Sequence, residues 1–530
     1  MPVPSSSLDK TKHKWRQRLV ESRGEALEPL LALPLPLSLK GALAETAAIY
    51  FEANPGVLDQ AKIRALAPHL PTPTLDALIA KQPPPPPTFP ADPDEQTVLD
   101  WFQAQYLPFR RWQAQHGDRD ARATVLEGAQ RFARWYLARY PQWLLNREQG
   151  WIAFQRSNAL SRASDALVLC VVLDGLPAWD AEDFAHDLSA RVDRLQLQER
   201  GYCFAPFPTV TEFAKAALLR GDPPRLAQLS DPLAEVLSDR DDPAAHLASC
   251  PLGAARFWSL SQPDNAYHFE AEHKRAAKVH GELGSLIERL RAVVERVPDE
   301  RTLQIVLTTD HGRLLNKRAP CDKPVPSGMR AHGRAAWGGS GRRFPTEGFC
   351  VEDTSGLCFV HGERFGVPED VAFVWDESAF QNDKRTGSEP YPHGGLFPEE
   401  AIVPWFVFER DARPPEFKVE ITGAGESGGS GELRLTVTNL SRVALMCESV
   451  ALSHAANARA EPALRVPPLG ATTRALRFAP WPGQADCEAL IATLTFRLPN
   501  GKTITRKVRP ALEARVLYRR DESLLKELDL

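Results

Sequence analysis

What most limits the fold of this chain is a series of short, continuous apolar runs between residues 165 and 410, several closing on an ionisable residue. The runs are ALVLCVVLDG, ARFWSL, LQIVLTTDHG, GLCFV and AIVPWFVFE, and this is how buried parallel strands look. Helical stretches fill the intervals, notably over 180–199, 212–220 and 275–296. Alternation of this kind predicts an α/β fold with a layered α/β/α core over residues 161–412.

The flanks read differently. Residues 1–160 show apolar residues at three and four spacing, as in Leu126 to Leu145, and predict a helical region. Five consecutive prolines, Pro83 to Pro87, interrupt it as a stiff spacer, because each ring fixes φ and removes an amide donor. After Arg413-Pro414-Pro415 the alternating segments EFKVEIT, ELRLTVTNL, TTRALRF, EALIATLTFRL and KTITRKV predict an all-β sandwich over 413–511, with Asn500-Gly501 as a hairpin turn. Residues 512–530 read as a helical tail.

Composition narrows the function. The chain has 530 residues, enough for several cores, and 64 basic against 68 acidic side chains leave no global charge for a polyanion. The most apolar stretch, Ala166 to Leu176, is about half the ~20 residues of a membrane span, and Asp174 interrupts it. The opening MPVPSSSLDKTKHKW lacks the apolar centre of a secretory signal, and the eight cysteines form no CxxC. The expectation is a cytoplasmic protein with free thiols.

In a parallel sheet, ligands collect beyond the carboxyl ends of the strands, so the polar residues that follow each run are the ones to weigh. Asp174 follows LVLCVVL, and Asp264 and His268 lie in SQPDNAYH after ARFWSL. Asp310 and His311 follow QIVLTT, and His393 stands in PYPHGGLFPEE before AIVPWFVF. Three Asp and three His suffice for two divalent metal ions, zinc first and manganese as the alternative. Two such ions would stabilise the attacking and leaving oxygens of an in-line displacement at phosphorus or sulfur. Asp264 is the weakest of these ligands, since Pro-Asp-Asn is ordinary turn chemistry; Glu270, Glu272 and His273 are its substitutes.

A nucleophile is offered by FPTVTEFAKAALLRG, where a loop enters a helix whose free amides would hold an anion. Thr209 with Glu212 has the form of a capping box and is assigned a structural role, which leaves Thr211 as the attacking hydroxyl.

Together VVLDGL, FPTVTEF, QPDNAYH, TTDHG and HGGLFPEEAIVP resemble the alkaline phosphatase superfamily, and within it the PglZ domain. By that resemblance Asp174, Thr211, Asp310 and His311 surround one metal, and Asp264, His268 and His393 hold the other. The resemblance covers about residues 165–410 and implies metal-dependent hydrolysis of nucleotide-type phosphodiesters. It also implies association with bacterial phage-defence systems of the BREX type, and so with other defence proteins as partners. A scaffold of such a complex with little turnover is the alternative from a different class. Phosphomonoester hydrolysis or phosphomutase transfer is the alternative within the superfamily, and a Thr in place of a modified cysteine argues against a typical sulfatase.

Ser327 to Arg343 supplies Arg330, His332 and Arg334 as candidate contacts for a phosphodiester. Gly423 to Gly428 matches GxGxxG but precedes a strand rather than a helix, and is expected to be a flexible hairpin loop. No Gly-x-x-x-x-Gly-Lys-Ser/Thr occurs, so a P-loop nucleotidase is unsupported.

Overall fold

The computed structural model describes residues 5–117, 119–160, 166–227, 236–251, 253–315, 322–344, 350–381, 391–441, 443–455, 458–487, 489–499 and 501–515. Its fold is mixed α/β, with a helical N-terminal region and a β-rich C-terminus.

Six strands make the central sheet, in the order Leu195–Phe204, Ile402–Arg410, Leu303–Thr309, Leu167–Asp174, Ala255–Pro263 and Val236–Leu237. Leu167–Asp174 is buried along its whole length, as an unbroken apolar strand must be when both faces of the sheet are covered. It pairs in parallel with Ala255–Pro263 and Leu303–Thr309. Ile402–Arg410 instead runs antiparallel to both of its neighbours.

Two expectations need correction. The segment 180–199 is not one helix: the helix stops at Arg191, and Leu195–Phe204 forms an edge strand that leads into the FPTVT loop. GLCFV lies outside the central sheet, as Leu357–Val360 of an antiparallel five-stranded sheet that also holds Met329–His332 and Ala335–Gly338. A continuous apolar run marks burial on both faces and says nothing about which sheet supplies the cover.

The helical region divides by what it buries. Ser5–Glu21 and the helices as far as Lys81 close on their own core of Trp15, Leu19, Leu43, Phe51, Leu66 and Leu78. Residues 83–90, the proline run included, form neither helix nor strand. From Glu95 onward the helices insert Trp101, Phe132, Tyr136 and Trp143 into the same core as the central sheet.

Beyond residue 416 two β-sheets enclose a separate core that includes Leu433, Leu435, Val450, Leu494 and Trp481. The GxGxxG match is a hairpin turn only at its end, where Ser427 and Gly428 leave the strand. Gly423 and Gly425 lie within strand Phe417–Glu426, paired to Gly431–Asn439. A Cβ on Gly425 would lie 2.5 Å from the Trp481 ring, and one on Gly431 2.2 Å from it. These glycines make room for a buried indole. Antiparallel pairing of Arg497 with Thr503 closes the hairpin around position 500, which itself lies outside the described residues. Of the tail read as helical, Ala511–Arg515 is a strand, parallel to Phe417–Glu426. Residues 516–530 lie outside the described residues. No helix among the described residues is long and apolar enough to cross a membrane.

Trp481→Ala removes the largest side chain of the sandwich core and is expected to cost about 3–5 kcal/mol in denaturant unfolding followed by circular dichroism. A loss below about 1 kcal/mol would mean that the glycines do not serve this ring.

Candidate active site

Four strands of the central sheet deliver Asp174, Asp264 with His268, Asp310 with His311, and His393 at the same edge. Asp174 is the last residue of Leu167–Asp174, and Asp310 and His311 directly follow Leu303–Thr309. Asp264 and His268 lie one turn apart on the short helix Asp264–Phe269 that follows Ala255–Pro263. His393 precedes its strand in sequence. It reaches this edge because Ile402–Arg410 is antiparallel and therefore starts where its parallel neighbours end.

Thr211 opens the helix Thr211–Arg220. His311 Nδ1 lies 2.9 Å from the Gly312 carbonyl, which can only accept, so Nδ1 carries the proton and the lone pair of Nε2 faces the Thr211 hydroxyl oxygen 2.9 Å away. Thr211 Oγ1 also lies 3.2 Å from Asp174 Oδ1, while Lys215 Nζ donates to Asp174 Oδ2 at 3.0 Å. Thr209 is buried and donates to the Gly395 carbonyl at 2.7 Å. It ties two loops together instead of forming the expected capping box, since the residue at the cap position is Val210 and makes no side-chain cap bond.

Asp310 is fully buried. Its Oδ1 accepts from the Gly175 and His311 amides at 3.2 and 3.1 Å, whereas Oδ2 meets no hydrogen-bond partner. His393 is also buried: Nδ1 donates to the Thr209 carbonyl at 3.2 Å, and Nε2 meets no partner. Its ring stacks on that of His311, with centroids 4.1 Å apart. Burial first, then the neighbouring His311 and His332, push the His393 imidazole well below its usual pKa, so it is neutral. Burial, and after it the Asp310 charge, push the Asp174 carboxyl up to about 6.

Ligand atoms of Asp174, Asp310 and His311 all lie within 4.8 Å of one another, and so do those of His268, His332 and His393. Buried carboxylates, imidazoles and two buried ligand atoms, Asp310 Oδ2 and His393 Nε2, that meet no hydrogen-bond partner are together the donor set a divalent cation requires. The residues fit a metal.

The structure revises three assignments made from sequence. Asp264 is absent from both groups of ligand atoms. It forms a close ion pair with the fully buried guanidinium of Arg313, and its other oxygen lies 2.9 Å from His268 Nε2. Burial opposes its ionisation, yet Arg313 and His268 hold the carboxyl well below the usual carboxylate range. His332, expected to contact substrate, stands instead with His268 and His393.

Arg334, also expected to contact substrate, is fully buried. It faces Glu400 at 3.0 Å and donates to the Ser378 carbonyl, so a substrate has no access to it. Arg330 is exposed and pairs with Glu369 and with Glu212, the neighbour of Thr211.

Sequence reasoning missed Lys215 and Arg313. Lys215 is four residues after Thr211, one helical turn along the same face, and that spacing was a usable signal. Arg313 directly follows Asp-His-Gly, but nothing local reveals its long-range approach to Asp264.

A shell of buried charge fixes the loop that carries His393. Gly312 donates to the Glu400 carbonyl at 3.0 Å, and a Cβ on Gly312 would lie 1.9 Å from the Glu399 carbonyl oxygen. Only glycine allows that approach. Glu399 accepts from Arg110 at 2.7 Å and from Tyr106 at 2.6 Å, and Arg110 also binds Glu377.

Residues 264–408 match the PglZ family model, described as the BREX system PglZ alkaline phosphatase-like domain. Over this span the chain is similar to the PglZ alkaline phosphatase-like domain. Solved structures similar to it include murine ectonucleotide pyrophosphatase/phosphodiesterase 5, as an inactive variant in complex with AMP, at 12% identity and a TM-score of 0.30, covering 46% of this chain and 88% of that one. Phosphonoacetate hydrolase from Sinorhizobium meliloti in complex with phosphonoformate is similar at 15% identity and a TM-score of 0.30, covering 46% of this chain and 90% of that one. No curated protein matches. Likenesses this distant carry no activity or substrate to this chain, and Asp174 and Thr211 lie outside the matched residues.

Glu399→Gln removes the charge opposite the fully buried Arg110 guanidinium. It is expected to destabilise the protein by about 3–5 kcal/mol, measured by chemical denaturation. A cost below about 1 kcal/mol would show that Glu377 alone satisfies Arg110.

Proposed function

We propose that this site is the centre of a metal-dependent phosphodiesterase with Thr211 as its nucleophile, acting on nucleotide-type phosphodiesters. The observation that carries this reading is the Thr211 hydroxyl, set at a helix start between Asp174 Oδ1 and His311 Nε2, with Asp310 beside them. Asp174, Asp310 and His311 would hold one divalent cation, and His268 and His393 would contribute to a second. When bound, such ions act as Lewis acids on the phosphoryl oxygens, with zinc favoured by the imidazoles and manganese the alternative.

The remaining chemistry belongs to the chain. Thr211 Oγ1 attacks phosphorus as its proton passes to Asp174 Oδ1, and the P–O bond breaks to release an alkoxide that takes a proton from solvent. Water then attacks the phosphothreonine and loses a proton to solvent, the P–Oγ1 bond breaks as Asp174 returns its proton to Oγ1, and a phosphomonoester is released. The first amides of Thr211–Arg220 and the Lys215 ammonium offset charge on the phosphoryl oxygens during both steps.

The family description names the BREX system, which supports a setting in phage defence; other defence proteins as partners and a cytoplasmic address belong to the same proposal. The same description supports the scaffold reading, in which turnover is secondary.

Bis-p-nitrophenyl phosphate is expected to be cleaved faster than the monoester or the sulfate, with activity removed by a chelator and restored by Zn2+ or Mn2+. Thr211→Ala should lower kcat by on the order of a thousandfold or more. An undiminished Thr211→Ala enzyme, or one that cleaves only the sulfate, overturns the proposal. Full phage protection by Thr211→Ala would favour the scaffold.

A further inference from the structure

The resemblance that suggested the site gives the second cation two imidazoles and the Asp264 carboxylate, but the side chains are arranged for a different set. Asp264 is doubly committed: one oxygen pairs closely with Arg313, and the other lies 2.9 Å from His268 Nε2. Arg313 is held by donating to the Gly175 carbonyl at 2.9 Å and to the Tyr391 carbonyl at 3.1 Å, with its guanidinium over the Tyr267 ring. It is a buried, multiply bonded counter-ion that rebinding of Asp264 would strand without its charge partner.

His332 arrives from the strand Met329–His332, and its ring centroid lies 5.0 Å from that of His393 and 5.8 Å from that of His268. The tautomers agree with this grouping. Nε2 of His268 donates to the carboxylate, which makes Nδ1 its lone-pair nitrogen. Nδ1 of His393 donates to the Thr209 carbonyl, so Nε2 is the lone-pair nitrogen, and that buried atom meets no hydrogen-bond partner. A carboxylate that orients an imidazole from behind is the recurring outer partner of a metal-ligating histidine.

We infer that the second cation is held by three imidazoles, His268, His332 and His393, and that Asp264 acts behind His268 as a positioning residue. The inference rests on the metal-dependent reading above and changes its ligand set. Its consequence is a centre with two unlike halves. Asp174, Asp310 and His311 present mainly oxygen, which suits harder ions such as Mn2+ or Mg2+, whereas three imidazole nitrogens select Zn2+ or Co2+.

The test is titration of the metal-free full-length protein with Co2+, read by calorimetry and visible absorption. Wild type is expected to take two equivalents. His332→Ala should keep one equivalent and bind the other more weakly by more than the roughly ten- to hundredfold typical of losing an outer partner. Asp264→Asn should keep both, with the second weakened only within that range. The retained equivalent in His332→Ala reports that the neighbouring ligands are intact, so loss of the fold is distinguishable from loss of a ligand. His332→Cys supplies a positive signal, a thiolate-to-cobalt charge-transfer band in the near ultraviolet. The inference is overturned if His332→Ala binds both equivalents with unchanged affinity, or if His332→Cys binds cobalt without that band. A wild-type protein that takes up no metal overturns the metal-dependent reading itself.

Discussion

Everything at the catalytic edge depends on the direction of one strand. Ile402–Arg410 runs against its neighbours, so the turn Pro398–Ala401 and the His393 loop before it arrive where Leu167–Asp174 and Leu303–Thr309 end. Were that strand parallel, His393 would lie at the opposite edge of the sheet, about seven residues or more than 20 Å away at 3.3 Å per residue. The reversed strand is fully apolar at its start and is buried between Leu195–Phe204 and Leu303–Thr309. Its entry is then held by charge: Glu399 by Arg110, Glu400 by Arg334. Reaction groups gathered from distant parts of the chain need such a frame, because each must be fixed independently to within a fraction of an ångström.

The frame also explains why the helices from Glu95 onward belong with the sheet in packing terms. Tyr106 and Arg110 come from this region and both bond Glu399, while Arg122, further along it, pairs with Glu377. A helical stretch that looks in sequence like a separate N-terminal region thus supplies the cations and the phenol that hold the His393 loop. The first helices, as far as Lys81, have their own core, and the proline run lies between the two groups.

How much of this was legible follows from how local each signal is. Asp174, Asp310 and His311 could be found because each stands at the end of an unbroken apolar run, and strand exits place ligands. Thr211 was legible as the hydroxyl at a helix start, and its Lys215 neighbour could have been found from the i, i+4 spacing. His332 was not legible as a companion of His268 and His393. Its strand is only partly buried and Gly- and Arg-rich around its ends, so no periodic apolar pattern announces where it goes. Asp264 was placed beside His268 as the structure has it, but its second partner, Arg313, was missed because it is 49 residues away and no sequence rule couples them. GxGxxG failed for a related reason: the motif records missing side chains, and the Trp481 ring that occupies the space comes from another strand region.

The distribution of buried charge separates the three carboxylates by task. Asp264 has a guanidinium and Asp174 an ammonium, so both are compensated by the protein. Asp310 is the most buried of the three, and among the described residues no Lys or Arg forms an ion pair with it; amide and hydroxyl dipoles satisfy one oxygen only. An ionised carboxylate in such a position costs several kcal/mol unless a cation meets it. One buried carboxylate oxygen, Asp310 Oδ2, is therefore left without a hydrogen bond where Thr211, His311 and Asp174 converge, whereas Asp264 and Asp174 are paired with Arg313 and Lys215. A cation brought to that oxygen would lie within reach of the Thr211 hydroxyl.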